Sequence, residues 1–366
     1  MNVLEVINVT REVTWLPWAV QYFFLIGISV ACLLMSLPGA LTAHNLPGRF
    51  TFLAVIGALT CGIVAPVALL ADLHQPGRFW RFYTSPNLRS WMAWGAFFIP
   101  VYLGFLMLFA WGILSPLLAR SAAPQGSWLA RTHHILALRD DRAHWLVVAG
   151  GAGAALFGLL VFLYTGMELM VVRARPLWAT PYLPLQLAST SFIGAAGLVI
   201  VLNRLIGDYE QSADAAARGW LVASVLATMT LGMAWFLIGL LGLDAAHAKA
   251  LRTVAQFRSW QLTAAWAAAA TVILLALVVT RPARLTWLAG LVALHAAWMF
   301  RWTVFIGGQT VPKTGAGLYA YNLPLGHEGL LGIAGTFGLW LALLIVITSF
   351  LPQPTAEPDT SLVPAE

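Results

Sequence analysis

Nine apolar runs, at 17–43, 50–73, 91–119, 144–170, 181–205, 218–243, 258–280, 284–307 and 327–350, fill most of this 366-residue chain. Each is long enough to cross a bilayer as a helix of about 20 residues. In hydrocarbon every backbone N–H and C=O has to be paired within the segment, so runs of this kind become helices. Hydrophobic residues make up 60% of the chain and charged residues 9%, against roughly 25% charged in an average soluble domain, which leaves little for a separate aqueous domain. The sequence predicts an all-α integral membrane protein, a bundle of about nine transmembrane helices forming one domain over 1–350. The remainder, 351–366, is rich in proline and acid without an apolar face and is expected to be disordered.

The net charge of +6 does not point to nucleic acid, because the twenty Lys and Arg are scattered among the loops and never form a run. In a membrane protein such charge sets topology and meets lipid headgroups. The sequence carries two cysteines, Cys32 and Cys61, both in apolar runs, too few for an iron–sulfur cluster with its four thiolates. The first fifteen residues lack the charged, apolar, small order of a cleaved signal, so insertion is expected to start with the first span. An odd number of spans puts the two ends on opposite sides. Eleven Lys and Arg fall on the N-terminal side and nine on the other, too even for the positive-inside rule to choose. If Arg78, Arg81, Arg173, Arg175, Arg301 and Lys313 are held by a site or a partner, five are left against nine, and the N-terminal side is outside.

That same side collects the unusual residues. The link between spans two and three, within Val64–Phe98, carries Asp72, His74, Arg78, Arg81 and Arg89. Span four ends in YTGMELMVVRARPLW, with Tyr164, Glu168, Arg173 and Arg175. Span eight ends at Arg301 and is followed by an irregular Gly- and Pro-rich loop containing Lys313, while span one begins with Trp15, Trp18, Gln21 and Tyr22. Charged groups at the rim of a membrane bundle are costly and mark candidate sites. An apolar slot, donors for two carbonyl oxygens and an ionisable group in touch with water together suit a quinone. Tyr164 and Gln21 can supply hydrogen bonds, and Asp72 or Glu168 can take protons as a general base.

Each of these residues also has a plainer reading. Arginines at span ends snorkel to headgroups, tryptophans such as Trp15 and Trp178 form an interfacial belt, and Asp72 can cap a helix or pair with an arginine. His295, alone within its span, reads as an interhelical hydrogen-bond partner rather than a haem ligand, since no second histidine sits inside another span. His133 and His134 read as solvated, with no metal. GGAGAALFG in span four and GAAG in span five mark close helix packing, and span seven reads as lipid-facing. An anion transporter and a purely structural anchor stand as alternatives of other classes. The first is disfavoured because the charges gather at one face without an inverted repeat.

Three segments, ADLHQPGRFWRFYTSPNLRSWMAWGAFF, YTGMELMVVRARPLW and RWTVFIGGQTVPK, together with VTWLPWAVQYFFLIGI, resemble the NrfD/PsrC family of quinone-reactive membrane subunits of molybdopterin oxidoreductase complexes. The likeness runs from about Val13 to Ile347, is weakest over spans five to seven, and is nearest to the tetrathionate reductase branch. It implies a multi-pass protein of the bacterial inner membrane, N-terminus periplasmic and C-terminus cytoplasmic. Menaquinol or ubiquinol would be oxidised there, with no haem or iron–sulfur cluster in this chain. Electrons would pass to a four-cluster ferredoxin-like subunit and on to a molybdopterin subunit that reduces tetrathionate to thiosulfate; polysulfide, thiosulfate and arsenic oxyanions are the substrates of relatives. On this resemblance Tyr164 is the quinone-contacting tyrosine and Asp72 stands where the family has an acid; the site is expected to comprise Asp72 and Glu168 as catalytic acids, with Tyr164, Gln21, Trp18, His74 and Arg175 contacting the quinone. Arg78, Arg81, Arg301 and Lys313 dock the partner. Gln21 stands where the polysulfide reductase branch has histidine, and glutamine does not titrate.

Overall fold

The computed structural model describes residues 13–42, 47–138 except 122 and 125, 140–280 except 176, 285–310 and 321–352. Among the described residues it is helical without strands, and nine helices are long and apolar enough to cross a membrane. These are α1 (Pro17–Thr42), α2 (Arg49–Asp72), α4 (Trp91–Ala119), α6 (Asp140–Met170), α7 (Tyr182–Leu205), α8 (Gln211–Leu240), α10 (Arg258–Thr280), α11 (Thr286–Trp302) and α13 (Leu330–Phe350). Short helices lie between them: α3 (Arg81–Thr84) in the link after α2, α5 (Trp128–Leu136), α9 (Ala245–Ala255), and α12 (Gly308–Thr310). The protein is a multi-pass membrane protein.

α1, α2 and α7 form the centre, and α10, with only 11% of its apolar window buried, lies at the edge as its composition predicts. Small residues set two of the tightest approaches. A Cβ on Gly150 of α6 would stand 2.6 Å from the Phe109 nitrogen of α4, and one on Gly197 of α7 would stand 2.7 Å from the Gly290 carbonyl of α11. With only van der Waals packing to hold helices together in lipid, such contacts decide which helices pair.

Arg301 corrects the sequence reading most sharply. It was expected on the outer face as a docking residue, yet it is 1% exposed. Its guanidinium donates to Thr190 Oγ1 at 2.8 Å, Ser191 Oγ at 2.7 Å, and the carbonyls of Leu187 at 2.9 Å, Ala297 at 3.0 Å and Phe23 at 3.4 Å. All five guanidinium N–H groups are thereby used on α1, α7 and α11. Among the described residues no carboxylate pairs with it. Nor does the helical path stop at Arg301: a π-helical turn, Thr303–Gly307, carries it on to Gln309 and Thr310 where an irregular loop was expected. Lys313 lies outside the described residues.

The opposite rim is pinned by a second polar set. Asp214, buried at the start of α8, accepts from Asn203 Nδ2 at 2.8 Å and pairs with Arg204 at 3.1 Å, while Arg49 donates to Asn203 and to the Ile206 carbonyl. Tyr209 donates to Asp214 at 3.2 Å, and burial together with that carboxylate pushes the Tyr209 hydroxyl above its ordinary range, keeping it a donor. This network explains why α8 begins at Gln211, seven residues before the apolar run. His133 is also corrected: it is buried, with Nδ1 2.6 Å from Ser121 Oγ and Nε2 2.8 Å from the Phe350 carbonyl, tying α5 to the end of α13. His295 accepts from Trp266 Nε1 at 3.0 Å, the interhelical bond expected of it.

Lysine has three N–H donors where arginine has five. Arg301→Lys is expected to lower stability by about 3 kcal/mol, at roughly 1.5 kcal/mol or more for each lost charge-assisted hydrogen bond. Thermal unfolding of the purified protein in detergent measures this, and an unchanged transition would show that these bonds carry no net weight.

Candidate functional site

The ends of α2 and α6, the start of α1 and the start of α4 enclose a cavity of about 210 Å³. Its walls are apolar, with Pro66 of α2 and Pro100 of α4 on one side and Trp15, Ala19 and Phe23 on another. Asp72, Tyr164 and Glu168 line it, together with Tyr83. Residues that the sequence places on two separate spans thus share one slot. Phe79, Tyr83 and Met92 close its outer flank and are themselves exposed, so the slot lies at the edge of the bundle with access from the side.

Tyr164 and Glu168 are four apart on α6, which stacks them on one helix face. The Tyr164 hydroxyl shares the cavity with Glu168, and it lies 2.9 Å from the Tyr22 hydroxyl of α1. Either hydroxyl can donate in this pair; with Tyr22 donating, the Tyr164 proton is left for a group in the cavity. Tyr22 is fully buried, so it acts as the fixed end that aims Tyr164. The Tyr164 ring occupies space that Gly95 leaves on α4, where a Cβ would fall 2.4 Å from a ring carbon. Glycine here serves close approach, with no unusual backbone conformation involved.

Asp72 has a structural task as well. Oδ1 accepts from the Leu16 amide at 3.0 Å, so the last residue of α2 caps the start of α1. An anionic group at a helix N-terminus is favoured by the unpaired amides and the helix dipole. The plainer reading of Asp72 is therefore realised without removing it from the cavity, and no arginine pairs with it among the described residues.

The start of α1 is held from a third direction. Gln309 accepts from the Trp15 amide and donates to the Trp15 carbonyl, each at 2.9 Å. The Trp15 ring packs on Phe305 at 5.3 Å and Phe23 at 5.9 Å between centroids. Trp178 is buried and donates to the Val304 carbonyl at 2.8 Å. Both tryptophans are held by partners within the protein. Gln309 and the cavity-lining role of Trp15 were missed; the doubled hydrogen bond joins residues 294 apart, and no local pattern announces it.

Other expected residues lie elsewhere. Gln21 is buried, accepts from Trp298 Nε1 at 3.2 Å, and lines a separate cavity with His295. It points away because it sits one residue, about 100° of helix rotation, from Tyr22. Trp18 packs beside Gly332 of α13 rather than on the slot. Arg175 donates to the carbonyls of Gly308 at 2.9 Å and Gln309 at 3.1 Å and stacks over Trp178, fixing the segment that holds Trp15. His74, Arg78 and Arg81 are exposed around an outer depression of about 470 Å³ formed by the link. Chemically, the slot suits an amphiphile whose polar ring reaches a tyrosine and two carboxylates while its apolar part leaves towards lipid.

Comparison with known proteins agrees in kind. The family described as polysulphide reductase, NrfD, matches residues 5–313. A tetrathionate reductase subunit of Salmonella typhimurium is 35% identical over 360 residues, 95% of each chain. A putative dimethyl sulfoxide reductase membrane subunit of Halobacterium salinarum is 26% identical over 211 residues, covering 57% of this chain and 47% of that one.

Gly95→Ala is expected to cost about 1–3 kcal/mol, as overpacking a fitted site does. The same substitution should be nearly neutral in a Tyr164→Ala background, because the ring it meets is gone. A double-mutant cycle on thermal unfolding reads the coupling, and equal costs in both backgrounds would remove Gly95 as the seat of Tyr164.

Proposed function

This chain belongs to the NrfD family of reductase-complex membrane subunits, and from that membership we propose that its slot binds quinol and oxidises it. The observation that carries the reading is Tyr164, aimed by Tyr22, with Glu168 in an apolar cavity that Asp72 also lines. Quinol oxidation releases two electrons and two protons, so the site needs a donor to orient the ring and acceptors for the protons. Tyr164 orients the ring oxygen. Glu168 takes the first proton, and Asp72, already committed to the Leu16 amide, takes the second. Both carboxylates line the one cavity, so the two protons leave from a single site.

The electrons leave towards an iron–sulfur subunit seated on the link. Exposed Arg78 and Arg81, beside His74, offer it cationic contacts a short distance outside the slot. A molybdopterin subunit beyond it spends the pair on tetrathionate, cleaving its central S–S bond to give two thiosulfates. The likeness to the tetrathionate reductase subunit over 95% of both chains supports this substrate over other sulfur or arsenic acceptors. The membrane is the bacterial inner membrane, with the slot and the N-terminus on the periplasmic side.

The test is quenching of a fluorescent quinol-analogue inhibitor by the purified complex. Wild type should bind one analogue per chain, and Tyr164→Phe should bind it much more weakly. Glu168→Gln should retain the analogue while quinol turnover falls roughly 100-fold or more, the usual weight of a positioned general base. Absence of binding in wild type would make this subunit an anchor, with the electron donor elsewhere.

A further inference from the structure

A third cavity, of about 570 Å³, opens between α8 and α10 on the same side of the bundle as the slot. α9 bridges the two helices there. Asp244 caps it by accepting from the His247 amide at 2.8 Å, and Gly239 lets it lie against the end of α8, where a Cβ would meet Leu251 at 2.5 Å. Trp235, Phe236, Leu240, Leu251, Trp260 and Ala264 make the walls. Arg252 stands at the rim, and no carboxylate lines the cavity, which sets it apart from the slot. Lys249 and Arg258 flank it; among the described residues none of these three cations has a side-chain partner. Within 241–262 the sequence has a single acid, Asp244, already used as the cap.

From this we infer that the α8–α9–α10 cleft is a binding site for one anionic phospholipid. An apolar gap open to hydrocarbon gains dispersion contacts when an acyl chain fills it, and water there would find no partners. Unpaired cations at its mouth complement a phosphodiester, and indole rings suit the interfacial depth. Without a carboxylate in the walls the cleft has no proton acceptor, so it holds a ligand without transforming it. Quinol fits less well, because no carboxylate lines the cleft to take its protons.

Native mass spectrometry of the full-length protein, equilibrated with equal phosphatidylglycerol and phosphatidylcholine and then stripped by detergent, tests this. Wild type should keep one phosphatidylglycerol and shed phosphatidylcholine. Lys249→Gln combined with Arg252→Gln should cut that retention at least tenfold, and Ala264→Trp, at an exposed position that fills the cleft, should abolish it with elution and helical circular dichroism unchanged. Equal retention of the two lipids by wild type would overturn the inference. So would undiminished retention by the charge variant, which decides alone if the tryptophan variant does not fold. Neither variant touches the slot, so the outcome is independent of the quinol reading.

Discussion

The guanidinium of Arg301 is the fixed point of the molecule. It is a full charge among neutral acceptors, tolerable only because five of them converge on it from α1, α7 and α11. The Thr190 and Ser191 hydroxyls each donate to their own helix, to Gln186 and Leu187 carbonyls, which leaves their lone pairs facing the arginine. From there the path to the slot is continuous. The π-helical turn follows, then Gln309 grips Trp15 at both backbone groups, and the next residue, Leu16, donates to Asp72. A carboxylate on α2 is thus positioned by an arginine on α11 through the first turn of α1.

That path explains why the site mixes structural and chemical duties. Asp72 terminates one helix, caps another and faces the cavity, so changing it disturbs packing and chemistry together. Glu168 has fewer obligations. Its tyrosine neighbour is held by Tyr22 and by the space at Gly95. A base that lines a partly open cavity and caps no helix is better placed to exchange protons than one serving as a cap.

What could be read from the sequence follows the physics of each signal. Span number is legible because hydrocarbon demands long apolar runs, and the meeting of Asp72, Tyr164 and Glu168 is legible because the ends of spans two and four share a face. The rotation of a helix is not. α1 is apolar on nearly every side, so nothing local separates Gln21, which faces a cavity with His295, from Tyr22, which faces Tyr164. Arg301 at the end of an apolar run has the look of a snorkelling residue, and only the hydroxyls of another span reveal that it points inward. His133 was hidden for the same reason, its partner being the carbonyl of a residue 217 positions away.

The arginine lock also orders biogenesis. During synthesis α1 and α7 leave the ribosome before α11, so all acceptors outside α11 are already in the membrane when Arg301 arrives. An arginine within a span costs about 2.5–3.5 kcal/mol to insert at the helix centre, and here that cost is relieved only by partners placed earlier. The eighth span is therefore a checkpoint: it settles where the first and fifth have folded correctly, and a chain with those helices misplaced would be left holding a bare charge that membrane quality control can recognise.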